Sequence, residues 1–295
     1  MSALERLVRG GLTIYEGALS CAVAILSQDN ELSDLERRLI GLFRDQFSPL
    51  SDLDEATFQT ALERGIRFVS ENNLTNSANI PAYVHTHLAP IITQPNHRAE
   101  LYRYAYALAM ADLAVDEGEQ VVLSALVNVF NLAPSVQQAA EADVLREFYV
   151  LHHAIAATAL GLIVVTADGQ VQQDELDHIR EARGLLAPIG RLDDLQFSLV
   201  YDMALNIHDR FLLDPENREE FLNNIVANVL NTHELGLQAF EYAAAVATAD
   251  TDISSAELRL LEKLMETLKI NDAQGLAIFA RYKARVKTVD GEPHE

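Results

Sequence analysis

The chain has 295 residues and a mass of 32.6 kDa, room for two domains of ordinary size. Its 22 Lys and Arg against 44 Asp and Glu give a formal charge of −22, which excludes a nucleic-acid binder that must neutralise a row of phosphates. Hydrophobic residues make up 49%, enough for real cores, and a single cysteine, Cys21, forms no internal disulfide. The longest uncharged apolar run, Ala154 to Ala167, is shorter than the ~20 residues of a membrane span. The start Met1-Ser2-Ala3-Leu4-Glu5-Arg6 lacks the basic region and apolar core of a secretory signal. The sequence therefore predicts a soluble cytoplasmic protein without a transmembrane segment.

The first predicted element is an Ala- and aliphatic-rich helix through Ala18–Ala24, in which Cys21 reads as a small buried residue. It leads into an acidic segment, Ser27–Glu36, with Asp29, an aliphatic residue three positions on (Leu32) and Glu36 seven positions on. Leu39, Ile40, Leu42 and Phe43 then lie on one face of a second helix. Residues 72–81 are predicted as a loop, followed by His85 and His87. Another small-residue helix, Tyr104–Met110, precedes the second acidic segment, with Asp112, Val115 and Glu119. The stretch from Ala139 to Val165 reads as helical throughout, predicting docked domains rather than tethered ones. Asp168, Val171 and Glu175 form the third segment, and Leu213–Glu216 is predicted as a loop. After the helix Ala243–Ala247 the fourth has Asp250, Ile253 and Glu257, followed by an amphipathic Leu260, Leu261 and Leu264. A small basic helix end, Arg281–Lys287, closes the chain, and residues 289–295 are predicted to fray.

The spacings carry more than the motif. Asp29 to Asp168 is 139 residues and Asp112 to Asp250 is 138. In that register Leu53 meets Leu192, Phe58 meets Phe197, Ile66 meets Leu205 and Tyr83 meets Phe221. Ile91-Ile92 meets Val229-Leu230, and Tyr104-Ala105 meets Tyr242-Ala243. Register held over more than a hundred residues points to two tandem domains, 1–142 and 143–288, each of two helix–turn–helix half-repeats. Alternating β patterns are scarce, so the predicted class is all-α. Helix starts are written into the turns. Ser33 with Glu36, Ser254 with Glu257 and Asp116 with Glu119 have capping-box spacing, and Gln172 occupies the cap position less well. Val171 with Leu176 and Ile253 with Leu258 could staple the same turns.

A helix ending Ala167-Asp168-Gly169, followed by Val171 and Glu175, resembles the half-motif of the TerB-like, tellurite-resistance B, family. The resemblance covers nearly the whole chain as two tandem copies, although only the third segment keeps the glycine; Asn30, Leu113 and Thr251 stand in its place elsewhere. It implies small all-helical domains with two pseudo-symmetric motifs and a bacterial, stress-linked and metal-related role. It implies no catalytic residues.

Asp29, Asp112, Asp168 and Asp250 sit near helix C-termini, where a negative charge opposes the macrodipole. One reading makes each Asp an acceptor of turn amides and each Glu a capping-box member. The other pairs the turns, gathering Asp29, Glu36, Asp112 and Glu119, and likewise Asp168, Glu175, Asp250 and Glu257, around a cation. Oxygen ligands of this kind favour Ca²⁺ or Mg²⁺, outside any EF-hand, because Val164 and Thr166 occupy the first ligand positions of such a loop. Glu175 and His178 have the Glu-x-x-His spacing of carboxylate-bridged metal bundles, but only once, so a metal oxidase or hydrolase is the alternative to a non-enzymatic interaction or stress-response module. His85 with His87 and His152 with His153 read as surface or helix-face residues before a soft metal site. No nucleophile elbow or phosphate-cradling loop occurs. The basic end complements a helix dipole, or docks on an acidic face; a protein partner is expected, with no oligomeric state implied.

Overall fold

A computed structural model describes residues 12–26, 32–113, 115–167, 173–248 and 253–283, except for the side chains of 173–176, 211, 225 and 283. Among these residues all regular structure is helical and no strand occurs, so the protein is all-α. The chain divides into two compact units, Met1–Phe148 and Tyr149–Glu295.

The longer helices of the first unit are α1 (Ile14–Leu26), α2 (Asp34–Leu42), α3 (Glu55–Glu71), α4 (Pro95–Ala109), α5 (Glu117–Phe130) and α6 (Pro134–Glu147). Those of the second are α7 (Tyr149–Val165), α8 (Gln173–Glu181), α9 (Asp194–Ile207), α10 (His233–Ala247), α11 (Ser255–Thr267) and α12 (Asp272–Lys283). Short turns also recur. A 3₁₀ turn and a one-turn helix follow both α2 and α8, at Arg44–Gln46 with Ser48–Ser51 and at Ala182–Leu185 with Ala187–Gly190. π-helical turns stand at Val84–Leu88, His208–Leu212 and Phe221–Val226.

In each unit the first helix is the central element. From Glu16 to Val23 every residue of α1 is buried, and α3 and α4 pack against it. From His152 to Val165 every residue of α7 is buried, with α9 and α10 packed against it. Side chains that are small or apolar all round suit a helix with neighbours on every side. The same burial leaves Cys21 fully enclosed, its thiol pushed up to about 12 by desolvation and therefore inert.

Four expectations change. The helix predicted from Ala139 to Val165 is interrupted at Phe148, which caps α6 and packs edge-on against Phe43, their ring centroids 4.6 Å apart. The segment 72–81 is only partly loop. Asn76 accepts the Ala78 amide and Pro81 pre-sets the backbone for a helical turn, Ile80–Tyr83. Likewise Asp214 accepts the Glu216 and Asn217 amides and starts a helix at Pro215 within the predicted loop. Each unit also holds more than paired helix–turn–helix elements, since α3 and α6, and α9 and α12, add a third helix to each half. No single helix among the described residues is long and apolar enough to cross a membrane.

Candidate functional site

Three of the four acidic turns have described helix starts, and all three close in the same way. Ser33 N–H donates to Glu36 Oε2 at 2.7 Å while Glu36 N–H donates to Ser33 Oγ at 3.2 Å. Asp116 and Glu119 exchange the same pair of bonds at 2.8 and 2.8 Å, and Ser254 and Glu257 at 2.7 and 3.1 Å. Each box satisfies two amides that a helix N-terminus leaves without an intrahelical partner, and puts a carboxylate where the macrodipole is positive. Burial separates the three. Glu119 and Glu257 are each 6% exposed, whereas Glu36 is half-buried.

Another box, at the start of the first helix, was not singled out in the sequence, although it has the same local spacing. Thr13 N–H donates to Glu16 Oε2 at 2.8 Å, and Glu16 N–H donates to Thr13 Oγ1 at 3.2 Å, starting α1. Glu16 also accepts from Arg64 at 2.7 Å. Desolvation alone would raise the Glu16 carboxyl, but Arg64 and both Thr13 groups outweigh it and hold it below its ordinary value.

The Asp column is less fully visible. Asp112 is half-buried just beyond α4, and Leu113, at the position the third turn fills with Gly169, has φ 71°, the left-handed region that favours glycine. Asp29, Asp168 and Asp250 lie outside the described residues, as do the Gln172 cap, the Val171–Leu176 staple, the 289–295 tail and the Glu175 side chain. Glu36, Asp112 and Glu119 are described, and among the described residues no group of three or more His, Cys, Asp or Glu converges on a common metal position. A cavity of about 480 Å³ opens beside the α5 start, lined by Ala24, Ile25, Leu74, Ile80 and Val122, with Asp116 at its polar edge.

The histidines take separate environments. His85 and His87 are exposed in the π-turn; His87 stacks on Tyr83 and meets Phe68 edge-on. His152 and His153 are buried in α7. Desolvation, with His153 alongside, pushes His152 down to about 4, and His153 Nδ1 is 2.6 Å from the Tyr149 carbonyl. His178 lies 3.7 Å from Glu181, its i+3 neighbour. A polar chain that the sequence did not signal lies just before the third turn. His208 Nε2 is 2.9 Å from Thr166 Oγ1 and its Nδ1 is 3.0 Å from Asp209, with the imidazole 4% exposed. Forty-two residues separate Thr166 from His208, so only packing joins them. The basic end docks in part, Arg281 and Tyr282 both donating to Glu241 at 2.6 and 3.1 Å.

No curated protein and no solved structure matches the chain. Residues 154–279 match the family model described as Tellurite resistance protein TerB, a match that runs from within α7 into α12 and spans most of the second unit.

Proposed function

We propose that the chain is a non-enzymatic, cytoplasmic interaction and stress-response module of TerB type, formed by two TerB-like domains in tandem. The observation that carries this reading is the use made of the turn carboxylates. Glu36, Glu119 and Glu257 each accept a backbone amide and close a helix start, a structural task rather than that of a poised acid, base or nucleophile. The tandem arrangement is supported by helix order. α1 to α6 and α7 to α12 follow one another with matching intervening turns, and the Tyr104 hydroxyl on the Ile40 carbonyl has its counterpart in Tyr242 on Ile179.

The module reading includes a cation at the paired turns, Asp29, Glu36, Asp112 and Glu119 in one domain and Asp168, Glu175, Asp250 and Glu257 in the other. Burial of Glu119 and Glu257 supports it, because a buried carboxylate gains from a nearby positive charge. An all-oxygen donor set suits Ca²⁺ or Mg²⁺. The test is thermal melting of the chelator-treated chain against CaCl₂ and MgCl₂. A concentration-dependent rise that Asp168→Asn with Asp250→Asn diminishes, that the further Asp29→Asn with Asp112→Asn abolishes, and that His178→Ala leaves intact, is the expected result. A rise that needs His178, together with turnover of an oxidase or hydrolase substrate, would establish the carboxylate-bridged enzyme instead. No rise with any ion would leave an adaptor without metal.

A further inference from the structure

In the second unit, α10, α11 and α12 line a groove of about 550 Å³ that the packing of the described residues leaves open. Its floor is Phe240, 2% exposed, and its walls include Leu258, Leu261, Met265, Leu276 and Phe279. Leu258 is 41% exposed and Leu276 68% exposed, an unusual placement for leucines that neighbour each other across one depression. Gly275 keeps the depression deep. A Cβ there would collide with Met265 Cε, so a side chain at this position would displace the Met265 side chain.

The first unit shows that the scaffold does not need an apolar face here. At the positions in register with Leu258, Gly275, Leu276 and Phe279 it has Gln120, Gln137, Gln138 and Glu141. That face is closed by its own bonds, Tyr102 donating to Glu141 at 2.6 Å and Gln137 to the same oxygen at 2.8 Å. Exposed leucines in the second unit therefore call for an occupant rather than a folding explanation.

Charge says what kind. Among the described residues the lining includes Glu262, Glu266 and Asp272 and no lysine or arginine. Two of the cations on these helices are engaged elsewhere, Lys263 with Glu219 at 3.0 Å and Arg281 with Glu241 at 2.6 Å. From this lining we infer that the groove docks an amphipathic helix of a partner protein, whose apolar stripe carries anchors at i, i+3 or i+4 and i+7 and is flanked by Lys and Arg. The inference rests on the interaction-module reading and names the chemistry of the partner.

The probe is a fluorescein-labelled 14-residue Leu/Lys peptide patterned as an amphipathic helix, titrated with the full chain by anisotropy. A Ser/Lys peptide of equal charge and a Leu/Glu peptide of equal pattern serve as controls. The Leu/Lys peptide should bind at least tenfold more tightly than either control. Leu276→Glu and Leu258→Glu should each weaken it at least tenfold, although each adds negative charge and touches an exposed side chain. Glu262→Lys with Glu266→Lys should weaken it too. Equal binding of the Ser/Lys peptide, or full binding by Leu276→Glu, would reduce the effect to bulk attraction by an acidic chain and overturn the groove. Self-association abolished by Leu276→Glu would assign the groove to a second copy. Affinity that rises tenfold on deletion of residues 284–295 would assign it to the chain's own tail. If peptide binding fails while cation-dependent melting behaves as proposed above, the groove falls and the module reading stands.

Discussion

The contact between the first and third helices is made differently in the two units. In α1, Glu16 is 6% exposed and reaches Arg64 of α3; in register, α7 and α9 offer Ile155 and Met203, 0% and 2% exposed. Nearby, the Ser20 and Tyr83 hydroxyls are hydrogen-bonded to each other at 2.6 Å and each stands 3.0 Å from the Gly17 carbonyl. The corresponding residues are Ala159 and Phe221, 0% and 6% exposed. In both places the polar residues are absent together. A buried donor or charge left without its partner loses its full hydration, whereas an apolar pair of similar shape loses nothing comparable. The lesson is that the framework specifies shape at these positions and leaves chemistry open, provided that both members change. The first unit has a local reason to keep Glu16, which also caps α1 through Thr13, whereas α7 begins one residue after α6 ends.

The largest expected effect tests that lesson directly. Arg64→Met should destabilise the first unit by about 2 kcal/mol, below the ~3–5 of a fully buried pair because the Arg64 side chain is 55% exposed. Glu16→Ile added to Arg64→Met, copying the second unit, should return stability to within about 1 kcal/mol of the parent in urea unfolding. A double variant as unstable as the single one would break the comparison. The pH dependence has a definite sign. Because the folded Glu16 carboxyl lies below its ordinary 4.5, its contribution is complete at neutral pH and is lost as the pH falls below 4.5 through the folded value. The parent's advantage over Arg64→Met should therefore vanish in acid.

Next come the paired tyrosines. Tyr104→Phe should cost about 1.5 kcal/mol, since its hydroxyl bonds Ile40 at 3.0 Å, and Tyr242→Phe under about 0.5, since its bond to Ile179 is 3.5 Å long. Equal losses would show that the two contacts are equivalent after all. Hydrogen exchange at α2 and α8 reads each unit separately. Among the caps, Ser254→Ala should cost about 1 kcal/mol and Ser33→Ala about half that, following the burial of Glu257 and the exposure of the Ser33 turn.

The smallest effect is a gain. α5 and α11 end alike, Leu132 N–H returning to Val127 O at 3.0 Å and Ile270 N–H to Met265 O at 2.9 Å. The intervening residues, Asn131 and Lys269, have φ 53° and 55°. Lys269→Gly should stabilise by about 0.5–1 kcal/mol in thermal melting, and Asn131→Gly by only a few tenths, because asparagine tolerates this conformation.

Legibility followed distance along the chain. Ser33 with Glu36, Asp116 with Glu119 and Ser254 with Glu257 were readable because a capping box needs two residues three apart and nothing else. The burial of α4 and α10 was readable from the side-chain volumes of Tyr104–Ala109 and Ala243–Ala247. The helical turns at Ile80–Tyr83 and Pro215–Glu220 were missed because Asn, Pro and Asp serve both loops and helix starts. Of the candidate site, the glutamates at three helix starts were legible in position and in hydrogen-bonding role. Whether the turns pair was not legible, because that depends on how separate helices approach one another.

Helical periodicity, capping-box spacing and the 138- to 139-residue recurrence determined an all-helical class, the placement of the acidic turns and the chemistry that starts the helices after them, since periodicity and capping are local properties of a chain. Tertiary structure alone decided that Glu16 meets Arg64, that Thr166 meets His208, and that one unit closes a surface with Tyr102 and Glu141 while the other leaves Leu258 and Leu276 open. Those outcomes depend on which faces of distant helices come together, and spacing along the chain carries no record of it.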